Sequence, residues 1–147
     1  MADTVNSIED VLKRDGVWVS TTAGTSMWPM LRDRRDTVIV KSAKQRLHPL
    51  DIALYRRGDA YILHRVIAVT ENGYRIIGDN CIAYENVPES TVIGYLDTFW
   101  RDERCYNPRN GAWRRYARIW HALLPARRAF KRTRAIAGRL VRMIGLR

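Results

Sequence analysis

Between residues 36 and 100 the chain runs through short stretches of β-branched and aromatic residues, most of them followed by a turn built on glycine, asparagine or aspartate. Residues 36–41, 51–56, 60–69, 74–78 and 91–100 each read as a strand, since such side chains pack well on a pleated, half-buried surface. Arg57-Gly58-Asp59 and Glu71-Asn72-Gly73 supply hairpin turns between three of them. Connections this short join antiparallel neighbours, so the pattern predicts a mostly β domain. Ahead of it, Ser7 caps a short helix with Glu9 and Asp10 in its first turn, Asp15-Gly16 ends that helix, and Val17-Trp18-Val19-Ser20 alternates as a further strand. Loops are expected around 47–50 and 87–90, and a turn or linker over 102–111.

Charge divides the chain more sharply than hydropathy does. The net charge of +11 lies wholly in residues 112–147, which hold 11 basic residues and no acid, whereas residues 1–111 hold 15 basic and 15 acidic residues. A neutral body over 1–111 followed by a basic tail over 112–147 is therefore expected. In the tail, Trp113, Tyr116, Trp120, Leu123 and Leu124 recur at helical spacing among arginines, Pro125 interrupts, and Phe130, Ile136, Leu140, Val141, Met143 and Ile144 continue the pattern. Apolar and cationic faces on one helix suit an anionic membrane surface, which is the first expectation for this segment. An acidic protein or peptide, nucleic acid, or simple packing on the body with a solvated basic face are the alternatives. Nucleic acid is disfavoured, because nothing in the neutral body resembles a nucleic-acid module.

Several classes are excluded at this level. The longest uncharged run, residues 16–31, contains Ser, Thr and Gly and does not read as a spanning helix. The start, Met1 to Asn6, has neither a basic region nor an apolar stretch, so no secretory signal is expected and the default location is cytoplasmic, or peripheral at a membrane. Cys81 and Cys105 lack metal-ligand spacing and are too few for a disulfide framework, and His48, His64 and His121 do not extend them to a cluster. Neither a metal nor a cofactor is expected.

Chemistry concentrates in three places: Gly24-Thr25-Ser26-Met27-Trp28-Pro29, then Leu63-His64-Arg65-Val66, then Gly78-Asp79-Asn80. A serine hydroxyl is a poor nucleophile until a base takes its proton, so Ser, His and an orienting acid must meet in space. On alternation Ile62, His64, Val66 and Ala68 share one face of their strand and Leu63, Arg65 and Ile67 the other. Two hairpins deliver His64 and Asp79 from neighbouring strands. Arg65 fits a salt bridge to Asp79, a substrate clamp or a solvated position, with the structural role preferred.

The order Ser-Met-x-Pro at Ser26, Asp-Ile-x-x-Tyr at Asp51 to Tyr55, His-Arg-Val at His64 and Gly-Asp-Asn at Gly78 resembles the signal peptidase I superfamily over about residues 16–98. The closer likeness is to its Ser/His branch, since His64 stands where bacterial signal peptidases and SOS-repressor self-cleavage domains carry lysine. The resemblance implies a signal-peptidase-like β domain and a serine endopeptidase. Ser26 would be the nucleophile and His64 the general base. Asp79 matches the acid of the Gly-Asp-Asn motif, with Glu85 as the alternative acid; Asp79 is preferred for its intact motif. Gly24 stands where a bacterial enzyme often carries an oxyanion-stabilising hydroxyl, which leaves the oxyanion hole to the Ser26 backbone N–H and Thr25. The family's membrane-spanning segment has no counterpart ahead of Ser26 in this sequence. The substrate implied is an extended peptide or protein precursor cut after small residues, matured at a membrane face. The rival readings are an idle peptide-binding module of the same fold and a self-cleaving regulatory domain.

Overall fold

The computed structural model describes residues 7–145. The expectation of no secretory signal over residues 1–6 lies outside them, as do the last two residues of the tail. The fold is mostly β, with one helix before an antiparallel sheet and two after it.

Helix α1, Ile8–Asp15, starts at a reciprocal cap: Ser7 Oγ accepts from the Asp10 N–H while the Asp10 carboxylate accepts from the Ser7 N–H. It stops at Gly16, whose φ of 73° closes the last turn at a position costly for any other residue. Strands β1 (Val17–Thr21), β2 (Asp36–Ser42), β3 (Ile52–Arg57), β4 (Ala60–Val69), β5 (Gly73–Ile77), β6 (Glu85–Pro88), β7 (Val92–Arg101) and β8 (Arg104–Tyr106) follow. Their spatial order is β1-β2-β7-β3-β4-β5-β6, with β8 against β7, and every pairing is antiparallel. Strand β8 lies in the segment expected to be a turn or linker, and β6 runs into the loop expected at 87–90. Both are short and rich in polar residues, so they lack the alternation that marks the longer strands.

Two large buried clusters fill the sheet, beside a smaller one of Leu12, Val40 and Leu54. Met27, Met30 and Leu31, from the loop between β1 and β2, join Val38, Ile52, Leu96 and Phe99 in one. Leu47, Ala53, Tyr55, Val66, Tyr74, Ile76 and Val87 make the other. The first is completed by Trp113 and Tyr116 of α2 (Gly111–Ala122), where Phe99, Tyr106 and Tyr116 each meet Trp113 edge to face with centroids 5.2 to 6.0 Å apart. The aromatic half of the tail is thus built into the body. Helix α3 (Leu124–Met143) begins after a break at Leu123, with Pro125 in its first turn, where the missing N–H costs nothing. No described helix is long and apolar enough to cross a membrane.

The loop carrying Ser26 is anchored at both ends. Asp36, fully buried, receives Arg35, Arg101 and the Arg32 N–H. The Gly24 N–H donates to Asp33 Oδ1 at 2.7 Å, and Gly24 itself has φ of 85°.

Candidate active site

His64 and Arg65 are consecutive residues of β4, and both are buried, at 6% and 0% exposure. They face opposite sides of the sheet, as consecutive strand residues must. On the His64 side the register brings in two partners. Tyr55 pairs with Ile62, and Glu85 is linked through Ile76 to Val66, so all share the parity of His64. Glu85 Oε1 lies 3.1 Å from His64 Nδ1 and Tyr55 Oη 3.2 Å from it. Tyr55 donates its hydroxyl hydrogen to Glu85, and Arg57 donates to the other Glu85 oxygen at 3.1 Å.

These contacts fix the imidazole tautomer. The Tyr55 hydrogen is committed to Glu85, so toward His64 its oxygen only accepts, and an ionised Glu85 also only accepts. Nδ1 therefore carries the proton and Nε2 the lone pair. Burial lowers the His64 pKa more strongly than Glu85 raises it, which keeps the ring neutral at neutral pH. Burial acts to raise the Glu85 pKa, but hydrogen bonds from Tyr55, His64 and Arg57 outweigh it and hold the carboxyl below its usual range. Tyr55 is pushed far above its ordinary value by burial and then by Glu85, so it stays a neutral donor.

Nε2 and Ser26 converge on Gly78. A Cβ at that glycine would lie 2.9 Å from His64 Nε2, 2.7 Å from the Ser26 carbonyl oxygen and 2.8 Å from Cys81 Sγ. The glycine is required here for close approach of three groups. The next residues tie the two loops together: the Asn80 N–H donates to the Ser26 carbonyl at 2.8 Å and Asn80 Nδ2 to the Thr25 carbonyl at 3.2 Å. Among the described residues, Ser26 Oγ and His64 Nε2 make no protein hydrogen bond, to each other or elsewhere, and the Ser26 and Thr25 N–H groups are likewise uncommitted.

Asp79 does not orient His64, contrary to the preference drawn from its motif. Its neighbour in register terms is Arg65: Arg65 pairs with Ile77, and Asp79, two residues on, keeps that parity. Arg65 Nε and Nη2 donate to the two Asp79 oxygens at 2.8 Å each, Tyr116 Oη donates at 3.0 Å, and His121 Nε2 lies 3.2 Å away. Burial acts to raise the Asp79 pKa, and Arg65 more than reverses it, so the carboxylate is held well below its usual range. The preferred structural role of Arg65 is the one observed. Glu85, the alternative acid, holds the imidazole.

Ser26 also lines a cleft of about 220 Å³ whose walls are Trp18, Met27, Leu31, Val38, Leu54 and Leu63, among others. The cleft lies between two strand segments with unpaired edges. Among the described residues β1 pairs only with β2, and β4 pairs with β5 only from Arg65 onward, which leaves one edge of Ala60–His64 open. Ser20 and Thr21 face it from one side and Tyr61, Ile62 and Leu63 from the other.

The roles of Tyr55, Gly78 and Asn80 were not assigned from sequence, although all three stand inside the motifs that carry the family resemblance. Cys81, beside Gly78, is a free thiol close to the imidazole. No protein-family model matches this chain, and neither does any of the curated proteins compared with it.

Proposed function

We propose that this protein is a serine endopeptidase in which Ser26 is the nucleophile, His64 the general base and Glu85, assisted by Tyr55, the group that orients the base. The observation that carries this reading is the lone pair of a neutral His64 Nε2 left without a protein partner where His64 and Ser26 meet across Gly78, with Ser26 at the edge of an apolar cleft.

Chemically, Ser26 Oγ attacks the carbonyl carbon of the scissile peptide while its proton passes to His64 Nε2. The developing oxyanion accepts from the Ser26 N–H, with the Thr25 N–H beside it. Glu85 stabilises the imidazolium formed in this step. Collapse breaks the C–N bond, and Nε2 returns the proton to the leaving amine. A water, deprotonated by the same nitrogen, then attacks the acyl carbon, and Nε2 returns that proton to Ser26 Oγ as the ester bond breaks. Hydrogen bonds between nucleophile and base commonly tighten only when substrate is bound, which accommodates the open Ser26–His64 contact.

The substrate class follows from the cleft. An extended peptide laid between the free edges of β1 and β4 gains main-chain hydrogen bonds on both sides, while alternate side chains enter the apolar space. A cleft of about 220 Å³ suits small or medium apolar side chains next to the scissile bond. The open Ser26–His64 contact also favours a second reading, an idle peptide-binding module.

The test is labelling of purified full-length protein with a serine-directed acylating probe, with adducts mapped by mass spectrometry. Labelling confined to Ser26 and lost in His64→Ala is the expected result, and peptide turnover should fall by several orders of magnitude in Ser26→Ala. Retained turnover in Ser26→Ala overturns the assignment. Peptide binding without any labelling would favour the binding module.

A further inference from the structure

An ordinary surface helix buries its apolar stripe and exposes its charges; helix α3 instead touches the body through the basic residues of its first two turns and projects from it, with every described residue from Ala129 on exposed except Gly138. Arg127 donates to the carbonyls of Asp79 and Cys81, Arg128 to that of Ile82 and Lys131 to that of Asn80. The side of the helix facing the body is therefore cationic. Helical periodicity places Arg134, Arg139 and Arg142 on that same side. Away from it stand Phe130, Ile136, Leu140 and Ile144, which are 63%, 58%, 51% and 70% exposed.

We propose that α3 lies in the interface of an anionic bilayer, with this apolar stripe in the acyl region and its arginines at the level of the lipid phosphates. Trp113, Tyr116 and Trp120, which the sequence pattern offered to the same surface, are spent on the body. The membrane-facing element is α3 alone.

Four observations select this occupant. The helix is about 30 Å long over its 20 residues, but no described helix is apolar enough to span, so it rests on a bilayer and does not cross one. Arg132 and Arg134 border the stripe on its two edges, where long side chains can bury their stems and lift their charges to phosphate. Thr133, the polar side chain within the stripe, donates its hydroxyl to the Ala129 carbonyl at 2.8 Å, so entry into lipid leaves no donor there unsatisfied. Finally, residues 112–147 contain no acid, so a second copy docked stripe to stripe would bring rows of arginine together without a counter-charge.

The inference is independent of the peptidase reading and is tested without any activity measurement. Full-length protein is co-sedimented with vesicles of phosphatidylcholine alone and of phosphatidylcholine mixed with phosphatidylglycerol. Binding at least about tenfold stronger to the mixed vesicles is expected, falling about fivefold for each of Arg132→Gln and Arg134→Gln. Ile136→Asp combined with Leu140→Asp should lower it by about tenfold or more. Both positions are more than half exposed, so the variant should keep the parent's thermal melt, which is checked by circular dichroism. Absence of vesicle binding, equal binding to both vesicle types, or undiminished binding by the folded double variant overturns the proposal. So does a concentration-dependent dimer abolished by the same substitutions, which would make the stripe a contact between copies. Capture by polyglutamate without vesicle binding would replace the bilayer with an acidic partner.

Discussion

His64 and Arg65 are neighbours in sequence, both are buried, and both hold a carboxylate, yet their two networks end differently. Around Arg65, Asp79 is saturated: the guanidinium, Tyr116 and His121 fill its oxygens, while Trp120 and Arg127 take its carbonyl. Around His64 the chain of contacts runs from Arg57 through Glu85 to Nδ1 and then stops, with Nε2 uncommitted. The first network ties the helices to the sheet and leaves His121 Nδ1 and Arg127 Nη1 as buried atoms without a partner; the second leaves the His64 Nε2 lone pair without a protein partner. The contrast separates the two candidate acids by wiring: Glu85, and not the Asp79 that motif context favoured, contacts His64.

The comparison breaks most clearly under paired substitutions. Glu85→Gln offers an amide donor to Nδ1 and moves the imidazole proton to Nε2, so peptide turnover should fall by about 10³ to 10⁴ with little change in the thermal melt. Asp79→Asn should do the reverse. It leaves Arg65 buried without its charge partner at a cost of about 3–5 kcal/mol, read as a shifted denaturation midpoint. A larger loss of turnover than of stability in Asp79→Asn would collapse the distinction.

Gly78→Ala probes the meeting point of Ser26 and His64. The new methyl group collides with Nε2, the Ser26 carbonyl and Cys81, and displacement of the reacting groups should cost about 10²-fold in kcat/KM. Unchanged kinetics would show that the two loops do not meet as described.

The smallest effect is in pH dependence. Burial lowers the His64 pKa from its ordinary 6.5, so the acid limb of kcat/KM should be centred below that value. The same shift has a sign for stability. The folded state holds the proton less tightly than the unfolded chain, so this contribution is complete above 6.5 and is lost as pH falls through the folded value. An acid limb centred above 6.5 would mean that Glu85 outweighs burial.

Much of this arrangement is visible in the sequence, and the failures have identifiable causes. Alternation located β4 and assigned His64 and Arg65 to opposite faces, and Gly58 and Gly73 marked its hairpins. Parity also held the answer to the choice of acid, but only once register was known: Asp79 follows Ile77, opposite Arg65, and Glu85 follows the path from Val66 through Ile76. That path runs through β6, a four-residue strand containing Asn86 and Pro88 that has no periodic signal of its own. In the tail, helical spacing revealed apolar faces without saying what covers each. Trp113 and Tyr116 pack into the core, while the equally periodic Ile136 and Leu140 face outward.

The grip of α3 on the segment after Gly78 has an evolutionary side. Arg127, Arg128 and Lys131 reach carbonyl oxygens of residues 79–82 and none of their side chains. Such a clasp recognises the path of the main chain and is indifferent to its lettering. A substitution of Ile82 by a residue of similar bulk should therefore leave the clasp of α3 in place, because the carbonyl that Arg128 reads is unchanged.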